Sequence, residues 1–75
     1  MANIEKLIDK MKNQPNGIRP EEAEKVLIYF NYLPVRQKGS HKHYLNEKTG
    51  DLITVKQETP LKKVYITDIL NRIKK

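Results

Sequence analysis

Between Phe30 and Leu33 the apolar residues of this chain change their repeat, and that change dictates the fold class. Upstream, Ala23, Val26, Leu27 and Phe30 recur at three- and four-residue intervals, the stripe of a helix with one face to bury. Downstream the repeat falls to two, the period of a strand. Leu33, Val35 and Gln37 alternate with Pro34, Arg36 and Lys38; His41, His43 and Leu45 then alternate with Lys42, Tyr44 and Asn46. Gly39-Ser40 joins the two runs, and Gly39 can take the positive φ that a tight hairpin demands. Pro34 has no N–H to give to a ladder, which suits a strand start or a sheet edge. A second turn, Asn46 to Asp51, leads into a third strand from Leu52 to Gln57 with a β-branched centre at Ile53, Thr54 and Val55.

Helices flank this ribbon. Asn3 is placed to cap a first helix with the stripe Ile4, Leu7, Ile8 and Met11, acidic at its start and basic at its end, as the helix dipole favours. Pro15 and Gly17 stop it, and its shortness makes a peripheral, loosely docked element the expectation. Pro20 opens the second helix, followed by Glu21 and Glu22; Asn31 stands at its end. After the loop at Gln57 to Pro60, Ile66, Ile69, Leu70 and Ile73 define a third helix with Thr67, Asp68, Asn71, Arg72, Lys74 and Lys75 facing out. The order is α-α-β-β-β-α, an α+β chain. Its two-layer solution is an antiparallel meander with helices on one face, over a core of Val26, Leu27, Phe30, Ile66, Ile69, Leu70 and Ile73.

A single domain over residues 1–75 is the expectation at this length. Fifteen basic residues against nine acidic give a formal net charge of +6, which favours a polyanionic partner (nucleic acid, an anionic membrane surface or an acidic protein) without choosing among them. There is no cysteine, so disulfides and thiolate metal sites are excluded; two histidines and scattered carboxylates match no metal motif, and no cofactor is expected. No apolar run has the length of a membrane span, so the expected location is the cytoplasm.

Chemistry concentrates in Lys38 to Tyr44, which holds both histidines, with Arg36 upstream and Lys56 downstream as further cations. Histidine suits proton transfer near neutrality, and neighbouring lysines suit a phosphodiester. Gly39-Ser40 can equally be a turn and nothing more, and Lys62-Lys63 a solvated pair, although at a helix start the two lysines also suit phosphate. Tyr29, Tyr32, Tyr44 and Tyr65 are candidates for base stacking or for packing at the core edge, with Tyr44 the first candidate for contact.

The segment Val35-Arg36-Gln37-Lys38-Gly39-Ser40-His41-Lys42-His43-Tyr44 resembles the HicA toxins, small mRNA interferases of bacterial and archaeal toxin–antitoxin pairs. The likeness begins at Ile18-Arg19, runs through Glu22 to Leu27 and Leu52 to Val55, and reaches Leu61 to Ile66. It leaves residues 1–17 as an N-terminal helical extension to an αβββα core over 18–75. Many family members carry adjacent histidines, whereas here Lys42 separates His41 from His43.

The resemblance implies a fold similar to double-stranded RNA-binding domains, metal-independent cleavage of mRNA, neutralisation by an acidic HicB-type antitoxin, and His41 as the catalytic histidine. The expected assignment is then His41 as general base or acid and His43 as second proton carrier or binder. Arg36, Lys38, Ser40, Lys42, Tyr44, Lys62 and Lys63 form the expected RNA- and phosphate-binding set. The competing reading is a non-catalytic RNA-binding module of the same shape.

Overall fold

The computed structural model describes residues 4–73, so the capping role expected of Asn3 and the outward positions expected of Lys74 and Lys75 lie outside the described residues. The elements follow the order read from the sequence: α1 (Ile4–Asn13), α2 (Pro20–Tyr29), β1 (Tyr32–Lys38), β2 (His41–Asn46), β3 (Leu52–Lys56) and α3 (Lys63–Ile73). The strands form one antiparallel sheet, β1-β2-β3, so β2 is central and β1 and β3 are edges. Gly39 and Gly50 sit in the two turns with φ of 59° and 78°, the left-handed region in which glycine carries no Cβ penalty. Past α2, Asn31 reverses the chain with φ 72°, a conformation asparagine tolerates better than most residues.

The helices cover the sheet face that carries Tyr32, Tyr44, Asn46, Ile53 and Val55, all of them buried. These pack with Val26 and Leu27 of α2, Ile66, Ile69 and Ile73 of α3, and the loop residues Ile18 and Leu61. Each such aliphatic side chain contributes about 1.5–3 kcal/mol on leaving water. Phe30 and Leu70, expected in the core, are half-buried at its margin. The first helix is not peripheral: Met11 is fully buried, Leu7 and Ile8 pack on the core, and Lys10 Nζ lies 2.8 Å from Glu22 Oε2 of α2. Its amphipathic stripe closes the helical layer, which is why a short helix docks firmly.

In β1 the expected alternation breaks. Tyr32, Leu33 and Pro34 oppose Asn46, Leu45 and Tyr44, then the register shifts and Arg36, Gln37 and Lys38 oppose His43, Lys42 and His41. Val35 is the extra residue of a bulge and stands exposed. Leu33 therefore shares a face with Arg36 and Lys38, not with Val35 and Gln37 as strict alternation predicts. The bulge turns both cations onto the face that carries the histidines.

Candidate nucleic-acid interface

The open face of the sheet is organised in cross-strand rows. Leu33, Leu45 and Leu52 form an apolar row, Arg36, His43 and Thr54 the next, and Lys38, His41 and Lys56 the last. Directly opposed residues hold their Cβ atoms about 5 Å apart, so His41 stands between two lysines on a rigid backbone. Among the described residues, none of the paired strand positions on this face is acidic. His41 is exposed, as are Arg36 and Lys38. His43 is half-buried, and its Nδ1 is 2.8 Å from Thr54 Oγ1, which orients the imidazole.

Two of the expected binding residues lie on the opposite side of the sheet. Tyr44 is 1% exposed and faces the helices, where its hydroxyl donates to Glu24 Oε1 at 2.8 Å. It is a core residue and does not offer its ring to a base. Lys42, between the two histidines in sequence, points to the opposite side of the sheet from both: its ammonium donates to the same Glu24 oxygen at 2.6 Å and lies 5.7 Å from the centre of the Tyr44 ring. Strand alternation is the cause, since neighbours along β2 face opposite ways. The cation that replaces Lys42 beside His41 is Lys56, held opposite it by the β2–β3 register.

Electrostatics on the covered side reinforce this division. The Lys42 hydrogen bond, joined by that from Tyr44, holds the Glu24 carboxyl below its ordinary range, and burial together with Glu24 pushes the Tyr44 phenol up. Glu24 therefore stays charged and keeps Lys42 occupied.

Ser40 lies exposed in the hairpin turn, where its backbone carbonyl accepts from the Gln57 N–H at 2.6 Å. Lys62 is exposed in the loop before α3, and its carbonyl accepts the Tyr65 N–H at 3.0 Å as the first turn forms. Lys63 is the first residue of α3 and lines an open groove of about 620 Å³ between α3 and Thr54 of β3. Helix α3 is fixed beside β3 by Arg72. Its Nη1 donates to Asp51 Oδ1 at 2.6 Å and to the Leu52 carbonyl at 3.3 Å, and its Nε donates to Asp68 Oδ1 at 2.9 Å. Tyr32 completes the clamp, donating its hydroxyl to Asp51 Oδ2 at 2.6 Å.

Sequence reasoning missed Thr54, whose role appears only when β2 and β3 are aligned about the Asn46–Asp51 turn. The same alignment singles out Lys56 among the flanking cations. Among the described residues, no helix is long and apolar enough to cross a membrane, and no three His, Cys, Asp or Glu side chains gather as metal ligands would. Comparison of the chain with protein-family models, with curated proteins and with solved structures finds no match.

Proposed function

We propose that this chain is a metal-independent endoribonuclease of the mRNA-interferase type, similar to the HicA toxins, acting from a sheet and helix arrangement like that of double-stranded RNA-binding domains. The carrying observation is His41, exposed between Lys38 and Lys56 on a sheet face whose paired positions carry no acid. In this reading His41 takes the proton of a ribose 2′-hydroxyl. The 2′-oxygen attacks phosphorus, the bond to the 5′-oxygen breaks, and that oxygen leaves with a proton from the second imidazole, His43. Lys38 and Lys56 stabilise the charge on the five-coordinate phosphorus, and Arg36 holds the strand. Thr54 engages His43 at Nδ1 and leaves Nε2 for the substrate.

The products are a 2′,3′-cyclic phosphate and a 5′-hydroxyl. DNA lacks the nucleophile and is not cut. An acidic antitoxin of the HicB type would neutralise the enzyme by covering this face and engaging its cations. In a cell where an mRNA interferase acts, the site of action is the cytoplasm.

The test is purified protein on a defined RNA. His41→Ala should stay folded and lose at least about a hundredfold in cleavage rate, as removal of a general base does. Full cleavage by that variant, or products ending in 3′-hydroxyl and 5′-phosphate, would refute the assignment. Wild-type protein that binds RNA tightly and never cuts it would establish the binding-module reading instead.

A further inference from the structure

The groove beside α3 is not needed for the proton transfers proposed above, yet it opens beside the same face. Thr54 belongs to both: its hydroxyl meets His43, and the residue lines the groove. On the other side, Val64, Thr67, Asp68 and Asn71 recur at three- and four-residue spacing and present one face of α3 to it. The volume of about 620 Å³ falls within the ~300–1,000 Å³ of small-molecule sites.

We infer that this groove is a base-recognition subsite, which takes the nucleobase adjoining the scissile phosphate and favours a base with an exocyclic amino group. The inference rests on the ribonucleolytic reading and adds its sequence preference. Four features support a nucleobase as the occupant. Val64 and the half-buried Tyr65 supply apolar walls of the kind on which a planar base packs. Lys63, at the end of the helix, supplies a cation for the next phosphate. The polar groups between are those that read a base edge. Asp68 is anchored through Oδ1 by Arg72, so the carboxylate is held in place to accept from an amino group, while Asn71 offers a donor and an acceptor one helical turn on. Finally, the groove shares Thr54 with the His43–Thr54 row, so a strand lying over His43 meets the groove at that residue. Adenine, cytosine and guanine carry the amino group; uracil has none, and its one edge donor, N3–H, lies between two carbonyl oxygens that the carboxylate repels.

The experiment uses His41→Ala protein, in which binding is read without turnover, and four RNA homotetranucleotides of A, C, G and U. Amide NMR shifts at Val64, Thr67 and Asn71 should respond to at least one amino-bearing tetranucleotide and least to U. Asn71 is exposed, so Asn71→Ala should keep the fold while weakening the best tetranucleotide about tenfold, the scale of one good base-edge contact. Silent groove amides with all four RNAs, or shifts as large with U as with the others, would overturn the inference. A groove that responds only to an added acidic peptide would overturn it in favour of a protein partner. Failure of the ribonucleolytic reading is seen separately, as uncut RNA with wild-type protein.

Discussion

Replacing Tyr44 by phenylalanine separates a buried structural role from the surface role that its place beside His43 suggests. The substitution removes only the hydroxyl, so the ring still fills its place among Val26, Ile53 and the other core residues and no cavity forms. What is lost is the 2.8 Å hydrogen bond to Glu24. Hydrogen bonds to a charged partner contribute about 1.5–3 kcal/mol, and Glu24 keeps its bond from Lys42 and some contact with water, which places the loss at about 1–2 kcal/mol. For a domain of this size, with a urea slope near 1 kcal/mol/M, the unfolding midpoint should fall by about 1–2 M, followed by far-ultraviolet circular dichroism.

The alkaline limb gives a second readout. The folded phenol titrates above its ordinary value of 10.0, first because of burial and then because of Glu24. Its stabilising contribution is therefore whole below pH 10 and is lost as pH rises toward the folded value, where the unfolded chain ionises and the folded one does not. Tyr44→Phe should flatten that limb. RNA cleavage near neutral pH, below the melting range, should match wild type. An unchanged urea midpoint, or a stable variant that no longer binds RNA, would refute the reasoning.

Two further outcomes follow from the same geometry. Lys56→Met should cut RNA cleavage at least about tenfold with little change in stability, whereas Lys42→Met should leave cleavage close to wild type and lower stability by about 1 kcal/mol, read by steady-state kinetics and urea titration. In acid, three carboxyls set the stability profile. Glu22 is held below its usual range by Lys10, Glu24 by Lys42, and Asp51 by Tyr32 and Arg72. Their contribution is present above their ordinary values of 4.5, 4.5 and 3.8 and disappears as pH drops through the lower folded values, so denaturation midpoints should begin to fall below about pH 5 and Glu24→Gln should make that fall shallower.

Residue order alone determined the sequence of six elements, both glycine turns and the placing of His41 and His43 on one side of a strand. All of these depend on neighbours a few positions apart: a proline or glycine ends a helix locally, and alternation is a property of the extended backbone itself. The helix boundaries at Pro20 and Asn31 were legible for the same reason.

Only the tertiary structure decided which side of the ribbon the helices cover. Both sides carry apolar residues, Leu33, Leu45 and Leu52 on one and Tyr44, Ile53 and Val55 on the other, so periodicity leaves the choice open. Packing against α2 and α3 selected the second set, and that buried Tyr44 and drew Lys42 to Glu24. The extra residue at Val35 and the strand registers then brought Arg36, Lys38, Thr54 and Lys56 alongside the histidines, and the Arg72 clamp set α3 against β3 to form the groove. Register and layer contacts join residues far apart in the chain, and their energies are settled by the whole set of buried side chains together, which no local pattern encodes.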